Sequence, residues 1–421
     1  MLRLRGTAHH FDQPLVGTVT RQPGGEVGHQ FLVVDAGDPY PTSYAYGAVL
    51  TASPSLPAAW TGPGLTHLLN LDQLAEGDVV SLQPTGQLIR QYQVDSAQNF
   101  LLATERCNSN CLMCSQPPKD RDDTGYLLSL YRQVIPLIPV TCPELGITGG
   151  EPTLLGDGFF ELLSLCKQHL PATELHCLTN GRSFAWREFT ERLGELSVPQ
   201  LMLGIPLYAD HAPLHDYVVQ AKGAFDQTVR GLHELAAVGQ RVEIRVVLHQ
   251  LTVPRLGKLA RFIYRNFPFV EHITFMGLEN TGYTPHNRDK LWIDPVDYMP
   301  ELTEAVEFLA AHRLHVSIYN HQLCLLPERL WEFARRSISD WKNIYLPACA
   351  SCAVREQCGG FFASSLTLHS QHIRAILPQV CHVETQDTYA VGRITAALNS
   401  SSCQLPNQLI NPQPSRVPSR S

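Results

Sequence analysis

Cys107, Cys111 and Cys114 stand in a C-x3-C-x2-C spacing that offers three thiolates from one short loop. Iron-sulfur clusters are ordinarily held by four cysteine thiolates, so a compact triad with no fourth Cys nearby reserves one iron of a four-iron cluster for another ligand. A three-cysteine zinc site would draw on the same residues. Further along, Glu144-Leu145-Gly146-Ile147-Thr148-Gly149-Gly150-Glu151-Pro152 reads as an apolar strand that runs at once into two glycines and a carboxylate. Glycines permit close backbone approach. A strand ending in such a turn before a helix presents its backbone groups and one acidic side chain to a small ligand. Near the C-terminus Cys349, Cys352 and Cys358 form a second group, spaced C-x2-C-x5-C, which suits an iron-sulfur cluster or a four-cysteine zinc site.

The elements that must carry these motifs follow from periodicity. From about residue 97 to 280, apolar runs alternate with helix-like segments. Candidate strands are Phe100 to Thr104, Glu144 to Thr148, Glu174 to Leu178, Leu201 to Leu207, Val242 to His249 and His272 to Met276. Helical patterns such as Gly125 to Leu137, Gly158 to His169, Ala224 to Val238 and Leu256 to Phe267 lie between them, which is βα repetition. The expected fold class is α/β, a parallel barrel of six such units, with both motifs in loops after strands, where barrel enzymes place their sites. Residues 1–95 differ: short apolar segments such as Gln30 to Val34, and a hairpin pattern from Asp78 to Ile89, predict a small, mainly β domain. The expected division is a 1–95 β domain, a 96–315 barrel, a 316–385 cysteine-rich region and a 386–421 helix and disordered tail.

Composition bounds the class. The chain has 421 residues, 44% of them hydrophobic, enough for at least two cores. Its net charge of −7, from 39 acidic and 32 basic residues without long blocks, gives no electrostatic reason to expect nucleic acid or an anionic membrane as partner. The N-terminus lacks the apolar core of a signal peptide, and no run approaches the roughly 20 apolar residues that span a bilayer. A cytoplasmic location is expected, and in that reducing compartment the 12 cysteines are better read as metal ligands than as disulfides. Cys142, Cys166, Cys177 and Cys403 lie in apolar or tail contexts and read as packing residues.

The cysteine triad followed by the Gly-Gly-Glu turn resembles the radical S-adenosylmethionine (SAM) enzymes. That resemblance implies a partial (β/α)6 barrel, a [4Fe-4S] cluster on Cys107, Cys111 and Cys114, and SAM on the open iron. It gives Gly149, Gly150 and Glu151 the amino group of the methionine half of SAM. Asn180, in the Thr179-Asn180-Gly181 turn, would line the SAM pocket. Arg245 sits inside the fifth strand, where an unpaired charge is costly to bury, so it points outward between helices or inward to pair with the SAM carboxylate. Met113 would pack near the cluster or serve as a local apolar anchor. Tyr208, Asp210, His215 and Asp216 follow the fourth strand and are expected in a solvated loop.

The second cysteine group resembles the auxiliary-cluster region of peptide-modifying radical SAM enzymes. Phe361 and Phe362 occupy the place where a further cysteine usually stands, so one auxiliary [4Fe-4S] cluster is expected, with Cys324 as the first choice of fourth ligand and Cys381 as the second. Arg106 to Pro118, Ser337 to Asn343 and Cys358 to Phe362 together are similar to the radical SAM maturase of the His-Xaa-Ser peptide system. The resemblance implies reductive cleavage of SAM to a 5'-deoxyadenosyl radical that takes hydrogen from a partner protein with His-Xaa-Ser repeats. It also implies an electron donor and a related second radical SAM protein. The chain has no array of such repeats, and its His315-Val316-Ser317 lies in a predicted strand. A small-molecule radical SAM synthase and an RNA-modifying enzyme are the alternatives.

Overall fold

A computed structural model describes residues 2–22, 28–34 and 46–378. Cys381, Cys403 and the helix and tail expected over 386–421 lie outside the described residues.

The N-terminal part has eight short strands: β1 (Arg3–Arg5), β2 (Thr7–His9), β3 (Leu15–Thr20), β4 (Gln30–Val34), β5 (Ala48–Thr51), β6 (Gly64–Thr66), β7 (Val79–Leu82) and β8 (Gln87–Tyr92). They are ordered β1-β8-β7-β3-β4-β5-β6-β2, so two strands adjacent in sequence lie at opposite ends of the sheet. Only Gly6 separates them. The bent segment 3–9 therefore pairs with β8 on one side and β6 on the other, and it closes the sheet into a barrel. A Cβ on Gly6 would stand 2.3 Å from the Thr66 carbonyl oxygen, so the seam needs glycine. Val19, Phe31, Leu50, Leu65, Leu82 and Leu88 fill the core. The expected hairpin is β7 and β8, antiparallel.

The second sheet is parallel throughout: β9 (Asn99–Leu102), β10 (Glu144–Thr148), β11 (Glu174–Leu178), β12 (Leu201–Pro206), β13 (Arg241–Leu248), β14 (His272–Gly277), β15 (Val316–Tyr319) and β16 (Ala334–Arg335), in sequence order. The first six match the six expected strands, and β15 is the one predicted around His315 to Ser317. β9 and β16 are the unpaired ends of the sheet, which makes it a partial barrel. Helices α1 (Thr124–Val134), α2 (Asp157–His169), α3 (Arg187–Leu196), α4 (Ala212–Val219), α5 (Ala224–Ala237), α6 (Leu256–Asn266), α7 (Arg288–Leu291) and α8 (Met299–Ala311) occupy the crossovers.

Alternation along the strands separates the faces. Leu145 and Ile147, Leu203 and Ile205, and Val242, Ile244, Val246 and Leu248 are buried in the main core. The opposite set faces the lumen. Beyond the barrel, β17 (Asn343–Ile344) and β18 (Phe361–Phe362) pair antiparallel beside the second cysteine group. No helix among the described residues is long and apolar enough to cross a membrane.

Candidate functional site

The cysteine loop leaves the C-terminal end of β9 and is clamped on three sides. Asp123 closes its base, accepting from the Thr104 hydroxyl at 2.6 Å and from the Glu105 N–H at 2.8 Å. The end of α4 accepts from the backbone N–H groups of Asn110 and Leu112, through the carbonyls of Val219 and Val218. On the third side the Tyr283 N–H donates to the Cys114 carbonyl at 2.9 Å and the Asn287 amide to the Leu112 carbonyl at 2.8 Å. Gly282 has φ 60°, and a Cβ there would lie 2.1 Å from the Cys114 carbonyl oxygen. Met113 is buried with Leu112, Tyr208, Val218 and Leu291, as an apolar anchor.

The thiols of Cys107, Cys111 and Cys114 are free and partly exposed. Burial pushes Cys107 up to about 11 and Cys111 up to about 12, opposed first by backbone N–H groups, that of Ser109 for Cys107, and least by the Arg182 guanidinium. Burial raises Cys114 as well. Three thiols on one clamped loop, at the C-terminal mouth of the lumen, are a donor set that fits a three-thiolate iron-sulfur cluster.

The Gly149-Gly150-Glu151 turn packs against the start of this loop. Gly149 has φ 152°, and its Cβ would lie 2.4 Å from the Thr104 carbonyl oxygen; a Cβ on Gly150 would lie 1.9 Å from that of Arg106. The Gly150 and Glu151 N–H groups donate to those same carbonyls, each at 2.7 Å. The close approach that these glycines permit is thus to the cysteine loop itself. Glu151 is fully buried and accepts from the Thr153 N–H at 3.1 Å, the Thr153 hydroxyl at 2.7 Å, the Thr179 hydroxyl at 2.6 Å and the Asn180 N–H at 2.6 Å. Burial pushes its carboxyl above the ordinary value, and these donors pull it part of the way back. Asn180 also donates from its amide to the Asn108 side chain at 2.6 Å. Glu151 and Asn180 are therefore one hydrogen-bonded unit with the cysteine loop.

Arg245 points into the lumen. Its guanidinium lies 3.0 Å from Glu243 Oε2, which His176 Nε2 approaches to 2.7 Å. Gly204 makes the room, since a Cβ there would stand 3.0 Å from both Arg245 Cδ and His176 Nε2. Burial alone would raise the Glu243 carboxyl, but Arg245 and His176 overcome it and hold the group well below the usual carboxylate range.

Several neighbours escape the motif-based reading. Tyr208 and His215, expected in a solvated loop, are buried: His215 lies on α4 and its Nδ1 accepts from the Tyr208 N–H at 3.3 Å. Asp216 accepts from the Gly223 and Phe225 N–H groups at the start of α5, and Asp210 pairs with Arg255 at 2.7 Å. His249, past the end of β13, is fully buried; Nδ1 accepts from the Leu251 N–H, and Nε2 has no partner among the described residues. The polar pair Glu243 and Arg245 at period two within an apolar strand was the readable signal for the lumen. Arg182 and His249 had none.

Of the second cysteine group, Cys324, Cys349, Cys352 and Cys358 line one cavity together with Tyr345 and Arg374. Backbone N–H groups point at its sulfurs: Leu323 to Cys358 at 3.5 Å and Ile376 to Cys352 at 3.4 Å. Cys142, Cys166 and Cys177 are buried in the main core, as expected of packing residues.

Residues 101–263 match the model of the Radical SAM superfamily. This segment is a radical SAM domain. The domain is that of SAM-dependent enzymes, and its match covers both the cysteine loop and the Gly-Gly-Glu turn. Similar solved structures include Streptococcus suis SuiB, at 18% identity and a TM-score of 0.44, covering 58% of this chain and 53% of SuiB. Others are anSMEcpe with bound AdoMet, at 20% identity and a TM-score of 0.41, covering 52% and 60%, and TYW1 with a lysine-pyruvate adduct, at 16% and 0.34, covering 51% and 72%. The chain thus spans about half the length of SuiB. No curated protein matches the chain.

Proposed function

We propose that the chain is a radical SAM maturase that modifies a partner peptide or protein, with His-Xaa-Ser repeats as the substrate class. The observation that carries the SAM chemistry is the direct hydrogen bonding of the Gly149-Gly150-Glu151 turn to the backbone of the cysteine loop within the radical SAM domain. Cys107, Cys111 and Cys114 would hold a [4Fe-4S] cluster, and Glu151, Asn180 and the two glycines would receive the methionine half of SAM. When bound, the cluster and SAM supply a 5'-deoxyadenosyl radical that abstracts substrate hydrogen. The chain's own work is to seat the loop, to hold SAM against it, and to keep water from a lumen whose walls are β10 to β15.

Cys324, Cys349, Cys352 and Cys358 would hold an auxiliary [4Fe-4S] cluster. Four cysteines ringing one cavity support that reading, and they supply a full set of ligands without Cys381. A peptide substrate rests on the resemblance of the Arg106–Pro118, Ser337–Asn343 and Cys358–Phe362 segments to the His-Xaa-Ser maturase.

The test is anaerobic reconstitution. The chain is expected to bind about eight irons, and the Cys107→Ala/Cys111→Ala/Cys114→Ala variant to keep about half. With dithionite and SAM, the wild type should form 5'-deoxyadenosine, and a synthetic His-Xaa-Ser repeat peptide should change mass only when SAM is present. Full iron retention by the triple variant would remove the assigned cluster. Turnover of SAM with an unaltered peptide would favour a small-molecule substrate.

A further inference from the structure

The Thr179-Asn180-Gly181 turn is followed by Arg182, whose charge has an unusual placement. Its Nη1 donates to the Asn108 carbonyl and, at 3.0 Å, to the Ser109 hydroxyl, both between Cys107 and Cys111 in the loop. Its Nε donates to the Gln227 side-chain oxygen on α5 at 2.7 Å, and its own N–H to Asn180 Oδ1 at 3.0 Å. The side chain is therefore held at both ends. A guanidinium fixed in this way is normally paired with a carboxylate. Arg241, Arg245 and Arg255 in the same barrel all are, at 2.9, 3.0 and 2.7 Å. Among the described residues Arg182 has no carboxylate within ion-pair distance. What its guanidinium reaches instead is the Asn108 carbonyl and the Ser109 hydroxyl, in the stretch between two of the loop's three thiols.

We propose that Arg182 is the positioning residue and counter-charge of the cysteine loop: it fixes the Asn108-Ser109 backbone and offsets the negative charge that three thiolates gather there. This rests on the reading of that loop as a cluster site. Addition of one electron to a [4Fe-4S]2+ cluster makes the ligated centre more negative by one unit. A fixed cation nearby therefore stabilises the reduced state and raises the midpoint potential.

The test is a dithionite redox titration of the reconstituted full chain, followed by electron paramagnetic resonance of the loop cluster, alongside iron content and SAM affinity. Arg182→Gln is expected to keep its iron while the ratio of reduced to oxidised cluster at fixed potential falls about tenfold, or about 59 mV for one electron. Arg182→Lys keeps the charge and should restore most of that potential, with a broadened signal because a lysine cannot hold the Asn108 carbonyl and Ser109 together. If Arg182→Gln does not fold, Gln227→Leu frees the guanidinium at its far end and should move the potential in the same direction by less. Potentials equal to wild type in the glutamine variant, with the cluster intact, would overturn the proposal. So would equal losses in the glutamine and lysine variants, which would leave Arg182 a purely structural strut. A wild-type chain that takes no cluster on the loop would overturn the reading of the site instead.

Discussion

At the scale of single residues, Glu151 carries two duties that one substitution can separate. Its carboxylate accepts four hydrogen bonds from Thr153, Thr179 and Asn180, so it ties the turn after β10 to the end of β11 whether or not a ligand is present. The proposed second duty is to accept the SAM ammonium. Glu151→Gln keeps the volume but places an N–H₂ where an oxygen meets either Asn180 or the threonines. Leaving one such buried donor unmatched is expected to cost about 1–3 kcal/mol of unfolding free energy. Loss of a charge-assisted bond to SAM, worth roughly 1.5–3 kcal/mol, would weaken SAM about ten- to a hundred-fold. Denaturant unfolding reads the first effect, and calorimetric titration of SAM into the iron-loaded protein reads the second. A variant with lowered stability and wild-type SAM affinity would leave Glu151 as a strut and take it out of the ligand pocket.

At the scale of elements, the cysteine loop has its shape because neighbouring segments close on its backbone, two of them at glycines, Gly150 and Gly282, where a side chain would not fit. Gly150 is the tightest of these contacts: its missing Cβ would stand 1.9 Å from the Arg106 carbonyl oxygen, and backbone cannot give way as a flexible side chain would. Gly150→Ala should therefore displace the loop and break the Gly150 and Glu151 bonds to it, while the helices packed outside the barrel stay in place. Far-ultraviolet circular dichroism is expected to match wild type while iron loading on the loop falls severalfold. Full loading would show that the loop tolerates the shift. Much of this architecture is legible in the sequence. The strands around Ile147, Leu203 and Ile244 announce themselves because each must be apolar enough to lie under helices, and the loop cysteines and Gly-Gly-Glu turn announce themselves by type and spacing. What was hidden depends on contacts between distant segments. The glycines read as space for a ligand, and nothing local shows that their missing Cβ atoms also make room for the backbone of residues 104–106. Tyr208 and His215 read as loop residues because nothing local shows that Tyr208 packs with Met113 and the end of α4, or that His215 stacks on Tyr208. β15 reads as a strand but not as a seventh unit of the barrel, and β16, two residues long, is too short for any periodicity to mark it.

At the scale of the whole molecule, the α/β barrel is built around histidines that must stay neutral. His215 on α4, His249 after β13, His272 at the start of β14 and His321 after β15 are all largely removed from water. Burial lowers each from its ordinary 6.5, His249 to about 3 and the other three to about 4. His321 is held neutral between the Tyr298 hydroxyl at 2.8 Å and the Tyr319 carbonyl at 2.9 Å, and His272 contacts the Ser317 hydroxyl at 2.9 Å. Because these folded-state values lie below the unfolded ones, the unfolded chain binds more protons between them. Their contribution to stability is complete above about pH 6.5 and is lost as the pH falls toward 4. Glu243, also held below its ordinary value, adds a loss in the same direction at still lower pH. Melting temperature of the cluster-free chain is therefore expected to be flat above about pH 6.5 and to fall steeply below it, with up to about four protons taken up on unfolding near pH 5. Making the measurement without clusters separates this effect from acid loss of iron. His272→Gln should shallow the slope by about one proton, since glutamine can still meet Ser317 but does not titrate. A melting temperature that stays level from pH 6.5 to 4.5 would mean that these imidazoles reach water in the folded chain, and that the barrel is looser around β13 to β15 than its packing implies.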